Sequence, residues 1–514
     1  MSTSLSLSIG LGLCIAGWLT VRAVARAWSF RSVAVVLLDV AAPFLGFLIL
    51  LLATARPIYA GAVIFASFGG FAFADSVKRT VLREPIVFTD LSEVIWLFRH
   101  PKFYLPYAGT GLVIGGVIAV AAFDTALLWL EPTIFSWSPW LAILAFSLPI
   151  AAIWASNAYF VGVCARHLRR LRPSSNPFDD ASQFGPLAMQ MIYGIIAKDE
   201  RAWRRARVAP APVKAKRRGA TLPAVVLVQC ESFFDARRAH PSIVRDLLPA
   251  FDACCRSGVQ SGRLAVPCWG ANTPRTEFSV LTGLSDEVIN LDRFNPYHAF
   301  ALGPVDSIAW RLRSKGYRTI CIHPFDRRYY DRDRIMTNLG FDLFLGEEAF
   351  ASAGAAGSYI SDLAVAQLGN QLLREHRGEG IFLFAITIGN HGPWSKVKPP
   401  VKSRELAPAL PSSSDANALQ KFLRGVQESD AMLEAFCRGL ALDGKSSLLS
   451  FYGDHQPSFP KLFSEIGYTD MQTDYCLWRT TSAGRPKRRD IAAHDLAHVI
   501  LDALAIPAPD AIAI

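Results

Sequence analysis

Five apolar runs, at 5–21, 33–55, 58–74, 107–130 and 141–163, crowd the first third of the chain. Each is about long enough to cross a ~30 Å hydrocarbon layer as a helix. The 51% hydrophobic content of the 514 residues is therefore uneven, with the excess almost entirely before residue 165. The first run is followed by further spans and lacks a small-residue cleavage site, so it reads as an anchor, not a removable signal. Asp39 and Asp124 fall within or near the ends of spans. An acid at that depth faces other helices or water; Asp124 reads more simply as a span-end residue reaching the headgroups.

Three parts follow from this pattern: a membrane part of five helices at 1–165, a connector at 166–222 and a globular part at 223–514. The connector holds an amphipathic helical pattern, GPLAMQMIYGIIAKDERAWRRAR at 185–207, and then a Pro/Lys/Arg-rich linker. The polar segment 75–106 mixes charges with aromatic and aliphatic residues, as suits a stretch lying along the membrane interface. The net charge of +10 fits anionic lipid headgroups better than nucleic acid in such a chain. The basic runs RHLRRLRP (166–173) and KAKRR (214–218) read equally well as plain juxtamembrane anchors. None of the nine cysteines forms a C-x-x-C pair, which argues against a thiolate zinc site; most read as small buried hydrophobes, and pairing is left open.

In the globular part, short apolar runs alternate with helical patterns, which predicts a mostly parallel sheet. Four runs, AVVLVQC (224–230), RTICI (318–322), IFLFAITI (381–388) and SLLSFY (447–452), are followed at or near their ends by Glu231, His323, His391 and the pair Asp454–His455. Parallel strands bring their carboxyl ends to one rim, where α/β sheets bind ligands. A fifth element, PCWGANTPRTEF (267–278), puts Thr273 at the start of a helix. Alone, Thr273 reads as an N-cap; beside four strand ends carrying ligand-type residues, it also reads as a nucleophile. Two carboxylates and an imidazole suit Mn²⁺, Zn²⁺ or Mg²⁺, and a divalent ion lowers the pKa of a hydroxyl and neutralises phosphoryl charge.

The segments CESFF, GANTPRTEF, HPFDRRYYDRD, GNHGPW and FYGDHQP, in this order behind the apolar spans, resemble the lipoteichoic acid synthase and phosphoglycerol transferase family. That family belongs to the alkaline phosphatase/sulfatase superfamily. The resemblance implies an N-terminal five-helix transmembrane domain plus an α/β alkaline-phosphatase/sulfatase-like domain around a mostly parallel sheet. It implies Thr273 as nucleophile, and Glu231, Thr273, Asp454 and His455 as ligands of one divalent ion, commonly Mn²⁺, with Zn²⁺ and Mg²⁺ as alternatives. It makes His391 the phosphate-binding histidine and His323 with Arg332 the pair that recognises the headgroup. His323 is followed by Pro324 and Phe325, where relatives can have an acid, and Tyr330 stands where some have Trp. Sulfatases proper mature a cysteine in a C-x-P-x-R motif; Cys268 is followed by WGANTPR, so sulfate-ester hydrolysis is not expected.

The expected activity is transfer of glycerol-phosphate from phosphatidylglycerol, through a phospho-threonine-type intermediate, to a hydroxyl of a periplasmic glycan or glycolipid. The expected partners are that lipid, that acceptor and the bilayer, with no nucleic acid. The alternatives are a phosphoethanolamine transferase of the same fold, and a catalytically inactive lipid-binding regulator. An arginine in YYDRD suits headgroup oxygens better than an ammonium. The resemblance implies a multi-pass protein of the bacterial inner membrane with its catalytic domain on the periplasmic side. Positive-inside counting of the basic loops at 22–31, 78–102 and beyond 165 argues the opposite. Long domains translocate despite flanking charge, and the expectation follows the resemblance.

Overall fold

The computed structural model describes all residues except 1, 31, 137, 139, 142, 145, 148–157, 211–221, 351–358, 395–405, 409, 411–415, 482, 483 and 507–514. It divides into two compact units, Met1–Ala202 and Trp203–Ile514.

In the first unit four helices, Thr3–Val24, Val33–Thr54, Pro57–Val81 and Thr110–Leu130, are long and apolar enough to cross a membrane. They correspond to four of the five expected spans. The fifth, 141–163, falls for the most part outside the described residues, so the count among the described residues is four rather than five. Helices Thr3–Val24 and Pro57–Val81 cross at Gly10 and Gly61. A Cβ on Gly61 would lie 2.2 Å from the Gly10 carbonyl oxygen, so small residues set this close approach. Within the 75–106 segment, the helix Asp90–Arg99 exposes Leu91, Val94, Ile95 and Phe98 while burying Trp96. An apolar face of that kind suits the interface expected for this stretch.

Asp39 lies inside the second apolar helix with its side chain wholly buried. Its Oδ2 accepts from Trp18 Nε1 at 2.7 Å and from Arg22 Nη1 at 2.6 Å. Its Oδ1 accepts from the backbone amides of Leu187 at 2.9 Å and Ala188 at 3.0 Å. These are first-turn amides of the helix Pro186–Arg207, which have no partner within their own helix. Gly185, at φ 97°, makes the approach possible: a Cβ there would sit 2.3 Å from the Asp39 carboxyl carbon.

The second unit is built on one nine-stranded sheet. In chain order the strands are β1 Ala224–Cys230, β2 Gln260–Ala265, β3 Arg318–Ile322, β4 Leu343–Leu345, β5 Ile381–Ile386, β6 Ser447–Gly453, β7 Thr473–Arg479, β8 Lys487–Arg488 and β9 Ile491–Ala492. The spatial order is β4-β3-β5-β1-β6-β7-β2-β8, with β9 also on β2. From β4 to β6 every pairing is parallel; β7 runs antiparallel to both β6 and β2. The continuous apolar runs of β1, β5 and β6 follow from burial on both faces. Val226, Val228 and Leu383 pack with the helices Asp362–Glu375 and Ala416–Leu442 on one face. Val225, Leu227, Phe382 and Phe384 pack with Thr273–Thr282, Ile308–Ser314 and Leu496–Ala503 on the other. The register pairs Cys230 with Gly453 and Gln229 with Ile386, so β1, β5 and β6 end level. The basic run at 214–218 lies outside the described residues.

Replacing Asp39 by Asn is expected to leave the Arg22 guanidinium buried without its counter-charge. Breaking a buried pair in this way costs on the order of 3–5 kcal/mol. The thermal midpoint of the detergent-solubilised protein should fall clearly below that of the parent; an unchanged midpoint would show that the pair contributes nothing.

Candidate active site

The level ends of β1 and β6 place Glu231 and Asp454 side by side. Glu231 is held by its amide, which donates to Thr387 Oγ1 at 3.0 Å, and by Ser232 Oγ, which donates to Glu231 Oε1 at 2.8 Å. Ser232 takes the left-handed backbone conformation at φ 56°, uncommon for a non-glycine residue, and so turns its own amide onto Asp454 Oδ1 at 2.8 Å. One serine thus braces both carboxylates. Asp454 Oδ1 also accepts from the His455 amide at 2.8 Å.

His455 Nδ1 faces the carbonyl of Gln456 at 3.1 Å, and only a protonated nitrogen can donate there. The other nitrogen, Nε2, faces the carboxylates, 3.4 Å from Asp454 Oδ2 and 3.6 Å from Glu231 Oε1. Donor atoms of Glu231, Asp454 and His455 all lie within 4.8 Å of one another, and no other such group occurs among the described residues. Burial first, and the charge of Asp454 second, push the Glu231 carboxyl up to about 8. Two carboxylates crowded in a dry place call for a cation, and an imidazole nitrogen beside them completes a donor set for a divalent ion. The residues present therefore fit the metal that the resemblance implies.

Thr273 opens the helix Thr273–Thr282, but it does not cap it. Asn272, left-handed at φ 66°, occupies the N-cap position, and Pro274 fits the first turn. The Thr273 hydroxyl is released to donate to Asp454 Oδ2 at 2.8 Å, with His455 Nε2 at 3.4 Å. Three residues on, Thr276 Oγ1 donates to the Asp454 carbonyl at 2.7 Å, which ties the helix to the end of β6. Thr273 thus joins Glu231, Asp454 and His455 in one place.

His323 and Arg332 form a second group. Both are buried, and Arg332 Nη1 lies 3.4 Å from His323 Nε2. Burial, and then the guanidinium charge, hold His323 well below its usual range, so it is a neutral imidazole. Sequence reasoning missed what lies behind Arg332. Glu277, fully buried one turn after Thr273, accepts from Arg332 Nε at 3.1 Å and Nη2 at 2.9 Å. It also accepts from Gln229 Nε2 at 2.8 Å and from the Tyr297 hydroxyl. Four donors fill the four lone-pair positions of one carboxylate. Only the PRTEF spacing, four residues from Thr273 to an acid on one helix face, could have signalled it.

His391 sits beyond β5, its Nδ1 2.6 Å from the Gly392 carbonyl and its ring edge against Tyr359. The turn that carries it is fixed by buried Asp362, which accepts from the Gly389 amide at 3.1 Å and from Ser429 Oγ at 2.7 Å. Burial pushes that carboxyl up to about 6. His391 is close enough for its charge to disfavour protonation of His323.

Residues 223–506 match the family model described as Sulfatase. The chain belongs to the sulfatase family. Within it, a threonine, not a cysteine, stands at the head of the helix over the paired carboxylates. The chain is 29% identical over 437 residues to the capsular polysaccharide biosynthesis protein RkpI of Rhizobium meliloti (strain 1021), covering 82% of this chain and 77% of that protein. It is 25% identical to a putative cyclic beta-1,2-glucan modification protein of the same strain, over 77% of this chain and 63% of that one. Its fold is similar to that of the lipooligosaccharide phosphoethanolamine transferase A (EptA) of Neisseria meningitidis, with a TM-score of 0.52 at 14% identity over 97% of this chain and 94% of that one.

If this sulfatase-family site holds a divalent ion, the purified protein should carry it in stoichiometric amount. An Asp454→Ala/His455→Ala double variant should lose it in metal analysis while keeping its fold. Full occupancy in that variant would rule out the ligand set.

Proposed function

We propose that the protein is a membrane-bound phosphoglycerol transferase. It moves glycerol-phosphate from phosphatidylglycerol to a hydroxyl of a glycan or glycolipid. The observation that carries this reading is the Thr273 hydroxyl, uncommitted to its own helix and directed at Asp454 within the Glu231–Asp454–His455 cluster.

Glu231, Asp454, His455 and Thr273 would hold the divalent ion, manganese in the first instance. When bound, it supplies Lewis acidity that lowers the threonine pKa and offsets negative charge on the phosphoryl group. Thr273 Oγ1 gives its proton towards Asp454 Oδ2, with which it is already hydrogen-bonded, and attacks phosphorus. The bond from phosphorus to the diacylglycerol oxygen breaks. Protonated His391 gives that oxygen its proton, so diacylglycerol leaves as the alcohol and glycerol-phosphate stays on Thr273. In the second half His391 takes the proton of the acceptor hydroxyl, whose oxygen attacks phosphorus; the bond from phosphorus to Thr273 Oγ1 breaks, and Oγ1 takes back its proton from Asp454 Oδ2. The apolar helices keep the chain where a phospholipid donor lies.

The headgroup preference follows from Glu277. A bare arginine would repel an ammonium, but here Glu277 cancels most of that charge, so repulsion does not decide the matter. The deciding point is the shortage of acceptors. An ammonium brings three donors and needs oxygens; the acid in this corner is already saturated by Gln229, Tyr297 and Arg332. Arg332 Nη1 and a neutral His323 instead offer one donor and one ring able to serve either way, which matches glycerol hydroxyls. The fold likeness to a phosphoethanolamine transferase keeps that headgroup as the second reading. For the acceptor, support comes from two relatives named for capsular polysaccharide biosynthesis and for cyclic glucan modification. We place the catalytic unit on the periplasmic side of the inner membrane, and a topology reporter fused after residue 222 tests this.

Thr273→Ala should abolish diacylglycerol release and leave folding, and with three ligands remaining most of the metal content, intact; near-normal turnover would remove the covalent mechanism. With headgroup-labelled phosphatidylglycerol and phosphatidylethanolamine supplied side by side, the parent enzyme should consume the former. Consumption of phosphatidylethanolamine alone would replace the reading by its rival. Arg332→Lys cannot reproduce the fork held by Glu277 and should lower kcat/KM for phosphatidylglycerol by roughly tenfold to a hundredfold, about 1–3 kcal/mol.

A further inference from the structure

Three of the nine cysteines meet outside the group of residues described above. Cys254 lies on the helix Pro249–Ser257, Cys437 on the long helix Ala416–Leu442 and Cys476 on β7. Cys254 Sγ is 3.5 Å from Cys437 Sγ, and its thiol also meets that of Cys476. Cys254 and Cys476 are buried, while Cys437 is partly exposed. The two helices are held together independently of sulfur. Asp430, less than two turns before Cys437, accepts from the amides of Ala250 at 2.9 Å and Phe251 at 2.8 Å at the start of the Cys254 helix. The sulfurs are thus kept in van der Waals contact, 3.5 Å apart against a disulfide bond length of about 2.05 Å.

We propose that Cys254 and Cys437 are the site of a structural disulfide, formed by exchange with an external disulfide. The thiolate of Cys437, the accessible partner, attacks one sulfur of the external disulfide and releases one thiol. The thiolate of Cys254 then attacks Cys437 Sγ and releases the second. Two protein thiols are oxidised and one small disulfide is reduced to two thiols, so two electrons and two protons are accounted for. The link spans 183 residues and encloses Thr273, His323, Arg332 and His391. It restricts the unfolded chain across the segment that supplies most of the site. In cells its formation rests on the outward placement of this unit, because thiols on the cytoplasmic side stay reduced.

The test incubates the purified full-length protein with reduced or oxidised glutathione, quenches it with acid, alkylates it under denaturing conditions and maps the peptides by mass spectrometry. The expected result is a Cys254–Cys437 cross-link with oxidised glutathione that persists in Cys476→Ala and is absent from Cys437→Ser. Reduction should lower the thermal midpoint of the parent on the order of 5–10 °C and leave that of Cys437→Ser unchanged. Full alkylation of both thiols under excess oxidised glutathione, or a link to Cys476 instead, would overturn the assignment. Acid-trapping directly from cells separates the two premises. A linked pair supports both, whereas a reduced pair in a protein that oxidises readily once purified keeps the site and overturns the outward placement.

Discussion

Two carboxylates held against each other in a dry place are the constraint on which the catalytic unit depends. Parallel pairing of β1 and β6 brings Cys230 level with Gly453, so the next residue on each strand must be a neighbour of the other. Those residues are Glu231 and Asp454. The surroundings of the pair read as responses to its charge. Ser232 adopts a costly backbone conformation to give each acid one hydrogen bond. His455 turns its Nε2 towards them. Thr273 contributes the remaining polar contact, its hydroxyl donating to Asp454 Oδ2.

The second centre balances charge differently. Arg332 and Glu277 are a salt bridge in which the arginine spends two of its nitrogens and the acid all of its lone pairs. Such a pair is nearly neutral seen from the pocket, and its geometry is fixed from four sides. Because Glu277 and Thr273 share one helix, the residue that holds Arg332 and the residue that meets Asp454 are fixed to one rigid element.

Much of this was legible in the sequence because the informative signals are local. A run of about twenty apolar residues can satisfy its backbone only as a helix in lipid, so four spans were readable without any partner. An apolar strand followed at once by Glu, His or Asp-His marks a rim, which is why Glu231, His323, Asp454 and His455 were found. What escaped was set by tertiary contact. Glu277 carried no local signal beyond its spacing from Thr273; its partner Arg332 lies fifty-five residues later and meets it only in the fold. Ser232 and Asp362 act through backbone amides, which leave no mark in side-chain chemistry. Thr273 was ambiguous because capping and catalysis favour the same residue type; Asn272, taking the cap position in a left-handed conformation, removes the capping reading. The three-thiol cluster joins two helices and a strand that no spacing rule connects.

Asp39 imposes an order on the making of the protein. Arg22 lies only 17 residues before it, so the ion pair can form as soon as the first two apolar helices meet. The amides of Leu187 and Ala188 follow 148 and 149 residues later. At a synthesis rate of about 5–20 residues per second, the acid waits roughly 7–30 s for them. During that interval Arg22 and the Trp18 indole are the partners that the carboxylate already has. The partnership with Arg22 is thus a provision for assembly as well as for the finished fold, and the helix that begins at Pro186 docks onto a carboxylate prepared long before it emerges.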